Sequence, residues 1–491
     1  FDRNTSIKAI EVHPANLAEL KSAVIEHRAH AVLVEIGLRL SASDAHWLKQ
    51  VLSELRERFG KIITIIAAVT SPEKFVSAGN LLFADENTLT PSGLIDNFIF
   101  SPPHRFPFAA PLENQLRDCL SCIIELRRQC AAPENPLPPL GDANWVPAMA
   151  DPESRSVWMR WLPRYARYTS ENPLIVGPTG SGKTKLAAAL HELSGRKGPF
   201  VSITPRDFSS TELVQAELFG AVAGAYTGAV DKWGLVKRAD KGTLFIGELQ
   251  SIDLDLQGKL ITFIENKTYR RVGEAESHNA DVRFVFASNR TLQDLVNEGK
   301  LRDDFAYRLE RLQLVLKPLH ERRLDIAAGI CFALGKVLRE RSETRRITNT
   351  PAGIDAVILD GLSQSAYFKL FCQSWPGNLR QLENTVAKLI ELGNFRNLRL
   401  IDEECVEEAL QGLLGTTETT GAGILSEAMH CVLEFTAKSE TVSLREIVTM
   451  IEDNARTKAL EYCGGNTAKA AALLGDSPLA LELFASVRSC R

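Results

Sequence analysis

The sequence predicts a multi-domain α/β protein with parallel sheets that ends in an all-helical module. Three observations carry this. Continuous apolar runs alternate with amphipathic stretches, the pattern of strands covered on both faces by helices. A glycine-rich loop stands between a strand and a helix. Two low-complexity stretches, Ala131–Pro147 (AAPENPLPPLGDANWVP) and Gly412–Gly423 (GLLGTTETTGAG), divide the 491 residues. A chain of that length is expected to hold about three domains.

In the first segment Ile7–His13 reads as a strand, Pro14–His30 as a helix and Ala31–Ile36 (AVLVEI) as a buried strand. Ala45–Phe59 reads as a helix and Ile62–Val69 as a second buried strand. A less regular stretch leads to the strand Asn97–Phe100 and a helix from Leu112. The middle segment places strands at Leu174–Val176, Phe200–Ile203, Thr243–Ile246 and Val282–Ala287, and reads as helical throughout from about Ile326. The last segment reads as all-helical. No internal repeat is visible.

Composition narrows the class. Hydrophobic residues make up 45% and charged residues 24%, as in ordinary globular chains. A net charge of -4 gives no global basic footprint, so nucleic-acid binding would fall to one small module. Nine cysteines in this length do not form a disulfide framework. Cys119 and Cys122 form a C-x-x-C on a helical run without a second pair, which favours reduced cysteines over a metal site. Apolar runs such as Ile62–Val69 fall far short of the roughly 20 residues that cross a bilayer. The expectation is a cytoplasmic chain with no membrane partner; whether residues precede Phe1 stays open.

The strongest chemical signal is Gly177, Pro178, Thr179, Gly180, Ser181, Gly182, Lys183 and Thr184, a complete G-x-x-x-x-G-K-[ST] between a strand and a helix. Glycines let successive backbone N–H groups curl around phosphate oxygens, and the helix N-terminus adds its positive end. Lys183 can reach β- and γ-phosphates, and Thr184 can offer a hydroxyl to Mg²⁺.

Glu217–Ala229 (ELFGAVAGAYTGA) carries glycines at 220, 224 and 228 around one aromatic, which disfavours a regular helix and is expected to expose Tyr226 at a loop tip. Gly224, Ala225, Tyr226, Thr227, Gly228 and Ala229 resemble the G-A-F-T-G-A loop of the AAA+ bacterial enhancer-binding proteins, the activators of sigma-54 RNA polymerase. The resemblance runs in order from about Ser154 to Leu410. Lys241–Leu249 (KGTLFIGEL) is similar to the Walker B strand and Leu256–Gly273 to the helix and turn after it. Asp281–Arg290 (DVRFVFASNR) is similar to the sensor I strand, with Asn289 in the sensor position. Gly299–Leu309 (GKLRDDFAYRL) resembles the arginine-finger segment, which makes Arg302 and Arg308 its candidates. Pro318–Ile326 and Trp375–Arg380 (WPGNLR) complete the series, with Arg380 in the sensor II position. A competing reading pairs Arg308 with Asp303 or Asp304.

The departures point elsewhere. Family members carry Asp then Glu at Walker B; here Gly247 replaces the Asp, and Glu248 remains as the candidate for polarising water and for the metal. Thr204 stands where the family has an Asn that pairs with that Glu. Glycine offers no ligand atom, so one carboxylate opposite Mg²⁺ is missing, and weak or altered hydrolysis is expected.

Residues 1–130 resemble a degenerate response-regulator receiver, a doubly wound parallel sheet. Glu35 stands at the position of the phosphorylated Asp and Ser101 at that of the Lys, while the first receiver strand with its acidic pair is missing. This argues against phosphorylation. Glu35 could mimic an activated state or be a buried-edge residue with no signalling role. Residues 459–475 (ALEYCGGNTAKAAALLG) resemble a Fis-type helix-turn-helix, with Asp476-Ser-Pro478 opening the recognition helix. Leu479–Ser486 carries no basic residue, so a helical dimerisation tail is the competing reading.

The resemblance thus implies a receiver-like domain (1–130), a linker (131–152) and an AAA+ P-loop domain (153–411). The AAA+ part has an α/β core to about 325 and a helical lid over 326–411. A second linker (412–425) and the helix-turn-helix (426–491) follow. It implies ATP and Mg²⁺ as cofactors. Its implied partners are sigma-54 RNA polymerase holoenzyme, promoter-distal enhancer DNA and further copies of the chain, dimers converting to hexamers. A DNA-binding regulator with a pseudo-ATPase core is the alternative; a remodelling ATPase without a promoter role fits the 224–229 loop and the tail less well.

Overall fold

The computed structural model describes residues 17–27, 29, 31–37, 42–59, 63–82, 94–95, 97–101, 112–130, 149–348, 359–411, 451–457, 459–460, 463 and 466–474. The expected strand Ile7–His13, the linker 412–425 and the recognition helix from Asp476 lie outside them.

Ala31–Ile36, Thr64–Val69 and Asn97–Phe100 pair in parallel, in that order. Parallel pairing requires crossovers, which pass through the helices Ala42–Phe59 and Phe75–Leu82. The central strand is buried along its whole length. Ala31–Ile36, expected to be buried, is the edge strand of the described three, and Leu33 and Glu35 are exposed. Glu35 is thus not a buried-edge residue; its carboxylate accepts a long hydrogen bond from Thr70 Oγ1, 3.5 Å.

The stretch expected to be irregular contains the helix Phe75–Leu82. Ser71 opens the turn before it, its Oγ accepting from Glu73 N (3.3 Å), with Pro72 in the first position. This helix lies backbone to backbone on Leu324–Thr348. A Cβ on Gly79 would stand 2.4 Å from Cys331 O and 3.0 Å from Gly335 N. Phe75, Phe100 and Tyr367 meet edge to face, and the N-terminal sheet and the lid share one apolar core.

A second seam joins the Leu112–Cys130 helix to Pro152–Arg167. Cys119 and Cys122 lie buried and unbridged in it, and burial pushes the Cys122 thiol up, as expected of reduced structural cysteines. Arg155 is fully buried here. Its Nη1 pairs with Asp118 (2.9 Å), Nη2 donates to Phe98 O (3.0 Å) and Nε to Asn97 Oδ1 (3.4 Å).

The central sheet is parallel, ordered Gln313–Val315, Leu174–Val176, Arg283–Ser288, Thr243–Ile246 and Phe200–Ile203. Such sheets present a ligand crevice beyond the carboxyl ends of their inner strands, which is where the glycine-rich loop leaves Val176. Beyond residue 324 come the helices Leu324–Thr348, Gln364–Phe371, Asn378–Phe395 and Glu403–Leu410. The segment is not helical throughout, because Gly361–Leu362 pairs in parallel with Leu400–Ile401. That pairing supplies backbone partners where the chain runs between helices.

Near the C-terminus Ala455 and Ala459 pack against Ala470 and Ala471, small side chains that let two helices approach closely. Asn466 caps Thr467–Leu474, its Oδ1 accepting from Lys469 N at 3.0 Å.

Candidate nucleotide site

The loop between Val176 and the helix Lys183–Ser194 has Gly180 at φ 77° and Gly182 at φ 105°, left-handed conformations that side chains resist. Gly177 N donates to Ser288 O (3.0 Å), which ties the loop to the central strand. The lid segment closes over it. Leu379 N donates to Gly180 O (3.1 Å), Asn378 Nδ2 to Thr179 O (2.9 Å) and Arg322 Nη2 to Ser181 O (3.0 Å). A Cβ on Gly180 would stand 2.2 Å from Gly377 O and 3.2 Å from Arg380 Cβ, so Arg380 stands against the loop.

Two observations fit a polyphosphate. Ser181 Oγ is buried and has no hydrogen-bond partner. Lys183 turns its Nζ onto the loop's own carbonyls, Gly177 O (2.6 Å) and Pro178 O (2.9 Å), with no ion pair to a carboxylate among the described residues. Burial lowers the Lys183 amine to about 8, with Glu248 pulling up and Arg380 pushing down. A phosphate against Nζ favours the ammonium form and raises that value. ADP binding at pH 8 is therefore expected to take up about half a proton. Calorimetry in buffers of different ionisation heat measures this, and zero uptake at pH 8 contradicts it. In the empty chain the sign is the reverse. The folded pKa lies below the ordinary 10.5, so Lys183 costs stability at neutral pH, a cost that fades as pH rises from about 8 towards 10.5.

At the end of Thr243–Ile246, Gly247 N donates to Ile203 O (2.9 Å). A Cβ there would meet Thr204 Oγ1 at 3.5 Å and Phe245 Cε1 at 3.6 Å, ordinary contacts, and the backbone is not left-handed. Sterics do not demand glycine at 247. Glu248 follows at φ 55°, a conformation that costs a non-glycine residue about 1–3 kcal/mol and that clusters at functional sites. Its carboxylate lies 3.7 Å from the guanidinium of Arg206. Sequence reasoning did not single out Arg206.

Thr184 lies in the first turn of the helix and is exposed; Asn289, just past the strand Arg283–Ser288, is also exposed. Glu248 and Arg380 both lie close enough to Lys183 to shift its amine. Arg302 and Arg308 are held elsewhere. Arg302 forks onto Asp304 (3.0 and 2.8 Å), and Arg308 pairs with Glu265. The proposed pairing of Arg308 with Asp303 or Asp304 is thereby corrected: Asp304 is taken by Arg302, and Glu265 on the neighbouring helix takes Arg308.

The Gly224–Ala229 loop folds on itself. Ala229 N donates to Tyr226 O (2.9 Å), and Gly224 and Gly228 take φ 84° and 83°. Tyr226 is half-buried, not exposed as expected. Ala225 packs onto Gly273, where a Cβ would stand 2.7 Å from Ala225 Cβ. Arg271 anchors the base, bound to Asp231 (2.6 Å) and to both oxygens of Glu274 (2.7 and 2.8 Å), with its guanidinium 4.3 Å over the Trp233 ring. Hydrogen bonds from Arg271 and His278 hold the Glu274 carboxyl down to about 2.

Residues 154–315 match the protein family described as the Sigma-54 interaction domain. The chain is 34% identical over 312 residues to the regulatory protein LuxO of Vibrio vulnificus, covering 62% of this chain and 61% of that protein. It is 38% identical over 226 residues to the alginate biosynthesis transcriptional regulatory protein AlgB of Pseudomonas putida, covering 46% of this chain and 47% of that one. The chain therefore spans less than two thirds of the length of these relatives. Among solved structures, NtrX from Brucella abortus in complex with ATP is 21% identical and aligns over 96% of this chain and 91% of that one, with a TM-score of 0.46. No described helix is long and apolar enough to cross a membrane.

Proposed function

We propose that this chain, whose residues 154–315 form a sigma-54 interaction domain resembling those of the AAA+ enhancer-binding proteins, is a sigma-54-dependent transcriptional regulator. In this reading residues 153–411 bind ATP with Mg²⁺ between the subunits of a ring. Gly224–Ala229 engages sigma-54 holoenzyme, and residues 426–491 hold the assembly to enhancer DNA. Residues 1–130 form the regulatory domain.

The observation that carries the reading is the cradle itself: the lid is hydrogen-bonded to the loop, with Glu248 and Arg380 close to Lys183. The loop amides and Lys183 hold the β- and γ-phosphates, and Arg380 balances their charge. Thr184 and Glu248 are the remaining oxygen donors toward Mg²⁺, which when bound neutralises charge on the phosphates. Glu248 and Asn289 orient water. Arg302 and Arg308, exposed and paired with the surface carboxylates of Asp304 and Glu265, exchange those partners for a neighbouring subunit's γ-phosphate. A second reading, a regulator whose nucleotide is a structural or sensory ligand, is favoured by Gly247 and Thr204.

The sigma-54 contact is tested at Tyr226. Tyr226→Ala is expected to weaken ATP-dependent capture of sigma-54 by at least tenfold, as loss of an aromatic anchor does, while ADP affinity stays within twofold. Native capture by the variant would sink the assignment of the loop.

A further inference from the structure

We propose that Asp325 is a positioning residue for the Gly177–Thr184 loop and that, through it, the hold on nucleotide depends on the N-terminal sheet, a role that rests on the reading of that loop as the nucleotide cradle. Arg322 Nη2 donates to Ser181 O at 3.0 Å. A trans peptide points its C=O and the following N–H in opposite directions. Holding Ser181 O on Arg322 therefore turns the Gly182 N–H away from the arginine, and the amides of such a loop are its phosphate-binding groups. Whatever fixes Arg322 thus fixes an amide of the cradle. The Arg322 and Asp325 side chains are only 6% and 4% exposed, and Nη1 pairs with Asp325 Oδ2 at 3.5 Å. Arg322 Nε is buried with no hydrogen-bond partner, so the guanidinium takes its aim from Asp325 and the loop carbonyl.

Asp325 is oriented in turn by a segment far away in the chain. Its Oδ1 accepts from Ala150 N (2.8 Å) and Asp151 N (2.9 Å), and its Oδ2 from Ser154 Oγ (2.5 Å). Charge-assisted hydrogen bonds of this kind are the strong ones, and several on one buried carboxylate leave it little freedom. The donors belong to the start of the short helix Pro152–Ser156, where the Asp151 carboxylate caps Glu153 N and Ser154 N (3.0 and 3.3 Å). The residue after Ser154 is Arg155, whose guanidinium ends on Asn97, Phe98 and Asp118. Neighbouring residues of one helical turn thus hold Asp325 and the N-terminal sheet. Contiguous buried hydrogen-bond networks of this kind carry coupling between distant sites. Loosening the Arg155 end frees the donors of Asp325, which releases Arg322 and with it the loop.

Full-length protein is titrated with a fluorescent ADP analogue and then chased with ADP, which reads the number of sites and the dissociation rate separately. Asp325→Asn keeps the side chain's shape and removes its charge. It is expected to speed dissociation about tenfold with the number of sites unchanged. Misfolding alone does the reverse, losing sites while those that remain keep the native rate. At the far end, Asp118→Asn is expected to speed dissociation about threefold, and Asp118→Glu, which restores a charge facing Arg155, to bring it back within about twofold of native. The double variant Asp325→Asn with Asp118→Asn should release the analogue no faster than Asp325→Asn alone, because both changes break one path. If Asp325→Asn leaves too few sites to measure, Ser154→Ala removes one donor from the same carboxylate and is expected to speed release about threefold. Native dissociation in Asp325→Asn, or in Ser154→Ala where that variant decides, overturns the positioning role. Native dissociation in Asp118→Asn, or effects that multiply in the double variant, overturns the dependence on the N-terminal sheet. A native chain that binds no analogue overturns the nucleotide reading, and this role with it.

Discussion

Gly247→Asp is expected to raise steady-state ATP turnover at least tenfold over the native chain, about 1.4 kcal/mol in the barrier. The position follows Thr243–Ile246, the second strand from the edge of the central sheet, and precedes Glu248. A new Cβ would meet only ordinary contacts, at 3.5 Å or more, and the backbone suits any residue. The substitution therefore adds a carboxylate next to Glu248 in sequence without the strain that usually confounds replacement of a glycine. Metal-held phosphates gain charge balance from such a group. Thr204 Oγ1, 3.5 Å from that Cβ, can donate to the new carboxylate and orient it. Equal turnover in the two proteins would mean that Glu248 and water ligands suffice. If both proteins bind ADP but neither turns over ATP, the pseudo-ATPase reading gains.

Arg155→Ala is expected to be the most destabilising single change at the seam between the N-terminal and central segments. Truncation leaves the carbonyl of Phe98, the amide oxygen of Asn97 and the carboxylate of Asp118 without their shared partner. Breaking a buried, hydrogen-bonded charge pair in this way typically costs about 3–5 kcal/mol. The expected readout is a fall of at least ~5 °C in the first thermal transition. Arg155→Lys should recover only part of it, because one ammonium cannot span three acceptors held by a planar fork. A shift within 1–2 °C, comparable to a surface substitution of about 0.5 kcal/mol, would show that the two segments do not depend on this residue.

The phosphate cradle was legible in the sequence because its chemistry is contiguous: glycines, lysine and threonine act through neighbouring backbone. Every strand of the two sheets except Gln313–Val315 was legible for the same local reason, as a short largely apolar run. What escaped depends on contacts distant in the chain. Arg155 reads as an ordinary helix charge until Asn97, Phe98 and Asp118 are placed around it. Phe75–Leu82 holds a glycine and an asparagine, which weakened its helical pattern, although Ser71-Pro72 was a start signal within reach. Gly79 is where two backbones touch, a contact that no local pattern announces. Tyr226 was expected at an exposed tip, since nothing local showed that Ala225 would pack on Gly273 and draw the loop inward.

The regulator reading is tested most directly by transcription in vitro with sigma-54 holoenzyme, the full chain and a template with or without its upstream enhancer. Transcripts should appear with ATP, vanish with a non-hydrolysable analogue and fall when the enhancer is removed. Equal transcript levels with and without the protein, under ATP and analogue alike, would contradict it.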